Sequence, residues 1–200
     1  MIGALLDLIG RYWTRRRWAR LRAMGMRLGN DVWLPPSTWI DMSHCHLISI
    51  EDHCGFGEEC LILAHDAQMD EFLDAARIGR VLIHASSHIG ARSNILPGVE
   101  IGPRTIVGAG SVVSRTLPPD TVCAGNPARV LCTFEKYLAK HRARLANSPT
   151  FDYGTHDIDQ LTPEGRARMV AVLAERDGYI VGGRSAELRG EGGTLRTTDG

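Results

Sequence analysis

Aliphatic residues return at every sixth position through the middle of this chain of 200 residues. Ile83, Ile89, Ile95, Ile101, Val107 and Val113 keep that spacing without a slip. Four positions after the first five of them stand Ser87, Ser93, Val99, Thr105 and Ser111, and glycine directly follows at Gly90, Gly102 and Gly108. A helical stripe does not hold a strict period of six, and simple strand alternation does not place glycine at one fixed phase. The pattern predicts short strands, each closed by a turn, with the aliphatic side chain always pointing inward.

The same period runs more loosely through Leu28, Leu34 and Ile40, and again through Ile50, Phe56 and Ile62. Its phase slips between residues 40 and 50, where a bulge or short loop is expected. Residues 64–77 (AHDAQMDEFLDAAR) break the repeat and read as a loop leaving the coil. Residues 1–27 carry helical spacing at Ile2, Leu5, Leu6, Ile9, Tyr12 and Trp13, followed by an arginine-rich stretch, so an amphipathic helix is expected over 2–27. Residues 28–133 form the repeat domain and 134–181 a helical extension. Within the extension a helix is expected over 134–147, and a second opens at Thr162 as N-cap with Pro163 in the first position, running to about Arg176. The glycine-rich residues 182–200 are expected to be disordered.

Composition narrows the function classes. The charged residues balance at 23 basic and 23 acidic, which gives no bulk attraction to nucleic acid. No apolar run approaches the roughly 18 residues of a membrane span. The opening MIGALLDLIG lacks a basic flank ahead of Asp7, which argues against a secretory signal. Five cysteines without a CxxC pair fit reduced thiols and a cytoplasmic setting. The arginines of the first helix permit peripheral association with an anionic membrane; packing on its own domain or on a neighbouring subunit is the plainer alternative.

The hexads, together with NILPGVEIGPRTIVGAGSVVSRTLPPDTVCAGNPARV over residues 94–130, resemble the hexapeptide-repeat acyltransferases. The resemblance implies a mainly β fold, a left-handed parallel β-helix with three hexads to each coil, whose narrow interior matches an aromatic content of only 6%. It further implies a homotrimer that transfers acetyl from acetyl-CoA, most readily to a hydroxyl of a sugar or polysaccharide precursor, with no metal required.

By that resemblance His65, at the end of LILAHD where the chain leaves the coil, is the general base. An alcohol is a poor nucleophile unless its proton is removed as it attacks, and neutral imidazole can take it at pH 7. Asp66 is the adjacent candidate, for binding acceptor or orienting an imidazole contributed by another subunit, with a solvated loop start as the alternative. Gly90, Ala91, Gly108, Ala109, Gly110 and Ser111 match the stretch that lines the pantetheine groove in the family. Arg115 and Arg129 are candidates for the CoA phosphates, against ordinary surface charge. His88 stands where relatives often carry tryptophan and His84 where glycine is frequent, so either rivals His65.

Three other functions remain open at this point. Transfer to the amine of a nucleotide-linked amino sugar differs only in the acceptor. A zinc hydratase resembling γ-class carbonic anhydrase would use histidines as ligands, but His44, Cys45, His46, His53 and Cys54 match no standard zinc spacing. A non-catalytic scaffold would bind no acetyl-CoA.

Overall fold

The computed structural model describes residues 16–156 and 160–183. The expected helix up to residue 15 and the tail from 184 onward lie outside them. The chain divides into two compact units, Met1–Tyr137 and Leu138–Gly200.

In the first unit the chain winds repeatedly through three parallel sheets. The first sheet stacks β1 (Arg27–Leu28), β3 (Ile48–Ile50), β8 (Val81–Ile83) and β11 (Glu100–Ile101). The second stacks β4 (Gly55–Phe56), β9 (His88–Ile89), β12 (Ile106–Val107) and β14 (Thr121–Ala124). The third stacks β2 (Trp39–Ile40), β5 (Leu61–Ile62), β10 (Asn94–Ile95) and β13 (Val112–Val113). From β3 to β13, apart from an excursion after β5, successive strands visit the first, second and third sheet in turn, so each circuit is one rung of a three-sided coil.

Register reports the length of every circuit. Ile95 stands beside Val113 and Ile83 beside Ile101, a separation of three hexads with nothing added. Ile40 stands beside Ile62, a longer circuit, because the phase slip expected before residue 50 is a 3-10 turn at Cys45–Leu47. Ile62 stands beside Ile95, a longer circuit still, because the excursion after Leu63 is absorbed within it. The excursion has structure of its own: β6 (His65–Asp66) pairs antiparallel with β7 (Arg77–Ile78), and a short helix α2 (Asp70–Leu73) lies between. It is a hairpin rather than a plain loop.

The six hexad aliphatics are all buried, each contributing about 1.5–3 kcal/mol relative to an exposed position. The small residues four positions on are buried as well. Their hydroxyls tie rung to rung: Ser87 Oγ donates to the Gly102 carbonyl at 2.8 Å and Thr105 Oγ1 to that of Pro118 at 2.8 Å. A hydroxyl inside an aliphatic stack needs such a partner. Cys54, Cys60 and Cys123 are free thiols in the same interior, each pushed up in pKa by burial.

Helix α1 covers 16–23 of the described residues and ends before the expected Arg27, which already pairs in β1. Leu21 enters the core, and the Arg17 guanidinium donates to the carbonyls of Pro36 at 2.6 Å and Thr38 at 2.5 Å. The described part of this helix therefore packs on its own domain. At the other end of the coil, β15 (Arg129–Thr133) turns back antiparallel on β14.

Helix α3 (Phe134–Leu145) agrees with the sequence expectation and carries the chain into the second unit. There β16 (Thr150–Asp152) and β17 (Tyr179–Val181) form a parallel pair, with α4 (Tyr153–His156) and α5 (Pro163–Val172) between them in sequence. Thr162 Oγ1 accepts from Gly165 N at 3.1 Å, the N-cap expected from Thr-Pro, but α5 stops at Val172 rather than near Arg176. Strands as short as β16 and β17 carry no periodicity long enough to predict.

Candidate active site

Each corner of the coil has its own chemistry, because a turn residue recurs at the same place on every rung. The corner between the first and second sheets carries Glu51 and His84, with Glu100 reaching in from β11 of the first sheet. His84 Nε2 is 2.6 Å from Glu100 Oε1 and its Nδ1 is 3.1 Å from Glu51 Oε1. The hydrogen bond with Glu100 raises the His84 pKa against a smaller opposing effect of burial, with Glu51 adding to the rise. An open depression of about 350 Å³ lies beside this cluster, lined by residues that include Arg27, Glu51, Asp52 and Ala85.

The corner between the second and third sheets is built of glycine and alanine. A Cβ on Gly90 would sit 2.3 Å from the backbone nitrogen of Ala109, and one on Gly108 would sit 2.8 Å from Ala124 Cβ. These glycines let adjacent rungs close to hydrogen-bonding distance: Gly90 N donates to the Val107 carbonyl at 2.7 Å and Gly108 N to that of Cys123 at 2.8 Å. Gly110 lies in the left-handed region at φ 70° with open space around it. No side chain larger than methyl stands on Ala91, Ala109 or Gly110, so backbone here is accessible to a ligand. Arg129, opposite Ala124 in β15, is exposed at the end of the same corner.

The corner between the third and first sheets holds His65. Asp41 follows the inward Ile40 and is fully buried, with Asp41 N donating to the Ile62 carbonyl at 3.0 Å. Its Oδ2 meets His65 Nδ1 at 2.5 Å and accepts from Ala64 N at 3.1 Å. Its Oδ1 accepts from Ser43 Oγ at 2.7 Å, Ser43 N at 3.1 Å and His44 N at 3.3 Å. Burial pushes the Asp41 pKa up, but the hydrogen bonds from His65, Ser43 and the two backbone amides outweigh it and hold it at about 2. An ionised carboxylate can only accept, so Nδ1 of neutral His65 carries the hydrogen and Nε2 keeps its lone pair. The His65 ring is 30% exposed, so solvent reaches it.

The structure separates the residues expected from sequence. Ile62, Ile95 and Val113 are neighbours on successive rungs, so Arg115 stands on the His65 corner two rungs beyond Ala64, about 10 Å along the stack. Gly90, Ala91, Gly108, Ala109, Gly110 and Arg129 occupy the neighbouring corner, with the third sheet between. Ser111 is inside the coil: its Oγ donates to the Gly108 carbonyl and accepts from Gly125 N at 3.2 Å, so its side chain supports the corner from within. Asp66 stands at the start of the hairpin. Its Oδ1 accepts from Gln68 N at 3.0 Å.

Asp41 is the residue that the sequence reading passed over. The available signal was a charge directly after an inward aliphatic, one circuit before the histidine.

Fold and corner together define a hexapeptide-repeat coil with a buried carboxylate set against an imidazole. Comparison with known proteins places that class. The family described as "Bacterial transferase hexapeptide (six repeats)" matches residues 80–115. The provisionally named acetyltransferase YvoF of Bacillus subtilis (strain 168) is 32% identical over 121 residues, 60% of this chain and 68% of its own length. The dTDP-3-amino-3,6-dideoxy-alpha-D-galactopyranose 3-N-acetyltransferase of Aneurinibacillus thermoaerophilus is 35% identical over 88 residues, 42% of this chain and 46% of that enzyme. Among solved structures, the hexapeptide-repeat acetyltransferase VCA0836 of Vibrio cholerae in complex with acetyl-CoA superposes with a TM-score of 0.50 at 24% identity, over 60% of this chain and 77% of that one. The chain belongs to the bacterial hexapeptide-repeat transferase family.

Proposed function

We propose that this protein is an acetyl-CoA-dependent O-acetyltransferase acting on a hydroxyl of a sugar or polysaccharide precursor, with His65 as general base. The observation that carries the reading is the Asp41–His65 pair. A buried, ionised carboxylate fixes the tautomer and orientation of a solvent-accessible imidazole, and Nε2 is left free to accept a proton. As the acceptor oxygen attacks the thioester carbonyl, its proton passes to Nε2. The imidazolium that forms is stabilised by Asp41, as an anion 2.5 Å away must do. A backbone N–H of the glycine corner stabilises the tetrahedral oxyanion, an effect of several kcal/mol when preorganised. The sulfur of CoA leaves as thiol or thiolate, and no covalent enzyme intermediate is required.

The coil is left-handed and the assembly a cytoplasmic homotrimer in this reading. Donor contacts at the glycine corner and the base at the next corner face different directions in one chain. A cyclic assembly that sets one protomer's glycine corner against its partner's His65 corner joins them. Arg115 and Arg129 serve the phosphates of the donor through bidentate guanidinium contacts. The domain boundaries follow: coil and catalysis in residues 28–133, with the extension beyond.

Transfer to an amine of a nucleotide-linked sugar is the second reading, favoured by the identity with the N-acetyltransferase of A. thermoaerophilus. CoA release measured with acetyl-CoA against simple sugars, nucleotide amino sugars and serine separates the two. His65→Ala is expected to lower turnover about 100-fold or more with the fold intact. Unchanged turnover in that variant rejects the base assignment, and acetylation confined to amines rejects the O-transfer assignment.

A further inference from the structure

We propose that Asp41, His44 and His65 form a binding site for a borderline divalent transition-metal ion of the zinc class, and that occupancy removes His65 from its role as base. The effect on activity rests on the preceding reading of His65; the binding itself does not.

The site is made of three donors converging on one point. A carboxylate oxygen and two imidazole nitrogens lie within 4.8 Å of one another. His44 Nδ1 is 4.0 Å from Asp41 Oδ2, and the His44 and His65 rings face each other at 4.9 Å between centroids, tilted by 39°. Tetrahedral coordination with metal–donor bonds of about 2.0 Å requires donors about 3.3 Å apart. The Asp41–His65 pair, at 2.5 Å, must therefore open by less than about 1 Å, and donors up to 4.8 Å apart must close by up to about 1.5 Å. His44 and His65 have the freedom to do so, being 31% and 30% exposed, whereas Asp41 at 1% is the fixed point. Two nitrogens with one oxygen select zinc or cobalt over magnesium or calcium. A fourth position remains for water on the solvent side.

The loss of base function follows from the tautomer. In the free site the Nδ1 hydrogen of His65 is donated to Asp41 and Nε2 holds the lone pair. A metal ion bound at Nδ1 displaces that hydrogen, and a neutral metal-bound ring carries its single hydrogen on Nε2. The atom that would take the acceptor's proton then has no lone pair available. The metal and the reaction thus compete for one imidazole.

The test uses the full chain after removal of metals by a chelator. Co²⁺ is titrated and followed by its visible absorption, and Zn²⁺ by calorimetry. One equivalent per chain is expected, with the intense visible bands of tetrahedral cobalt, and His44→Ala is expected to weaken binding at least tenfold. Absence of binding at micromolar metal, or equal binding by wild type and His44→Ala, overturns the site. In CoA-release assays, with each protein compared with its own metal-free rate, His44→Ala should need at least tenfold more Zn²⁺ than wild type for half-inhibition. Cobalt binding that depends on His44, with a rate indifferent to metal, supports the site and rejects His65 as the base.

Discussion

Asp41 and His65 are 24 residues apart in sequence and 2.5 Å apart at Oδ2 and Nδ1. The strand register explains how. Ile40 lies beside Ile62, so Asp41 emerges next to Leu63, and the chain turns outward into the hairpin two residues later. The same circuit, lengthened beyond three hexads by the turn at Cys45–Leu47, also sets Ser43 and His44 at the rim of this corner.

Asp41→Asn replaces an anion with an amide that can present either a donor or an acceptor to Nδ1. Turnover is expected to fall by about 10- to 1,000-fold, with the Michaelis constant for acetyl-CoA changed less than twofold. Steady-state kinetics with both substrates varied checks this. A large rise in the acetyl-CoA constant with unchanged turnover would instead place Asp41 in donor binding.

Arg115→Ala removes a cation from the corner of His65 at a distance of two rungs. Its expected effect is a rise in the Michaelis constant for acetyl-CoA that exceeds any loss of maximal rate. Dephospho-CoA thioester as donor should narrow the gap between variant and wild type if the guanidinium meets the 3′-phosphate. The reverse pattern, loss of rate alone, would tie Arg115 to the reacting groups.

Gly90→Ala and Gly110→Ala differ by one methyl in opposite surroundings. At Gly90 the added carbon would lie 2.3 Å from the Ala109 nitrogen, so adjacent rungs must separate, and a loss of several kcal/mol or failure to fold is expected. At Gly110 there is open space, and the cost is the left-handed backbone alone, about 1–2 kcal/mol. Denaturant unfolding of the two variants measures the contrast.

His84 makes stability depend on pH. Its folded pKa is raised by Glu100 and Glu51, so the contribution of the cluster is fully present below the ordinary histidine value of about 6.5 and is lost as pH rises through the folded value. Both glutamates are about half exposed, so a small effect, a few degrees in Tm, is expected. Thermal unfolding of wild type and His84→Gln at pH 5.5 and pH 9 should show a larger difference at the lower pH. An equal difference at both would mean that the cluster acts through packing.

The hexad made the coil legible because one side chain per face has to point inward at a fixed interval, and each such residue from Ile83 to Val113 is buried. The slip between residues 40 and 50 was legible as a break in that interval. His65 was singled out as a candidate by resemblance, from its place where the chain leaves the coil. Asp41 was not, because its partner lies a full circuit away and linear spacing gives no measure of distance across rungs. The parting of Arg115 from the glycines has the same origin: they are neighbours in sequence, yet a corner turn sends them to different edges. The short strands β16 and β17 are stabilised by contacts beyond their own length, and so left no local trace.

A stack of identical rungs has no natural length, since every finished circuit presents a fresh template for the next. Here the two ends are blunted by unlike means, with α1 packing Leu21 into the core before the first rung and β15 running against the grain after the last. Without them, the open termini would invite end-to-end polymerisation, so the pieces of this chain that do not repeat are what keep it a discrete molecule.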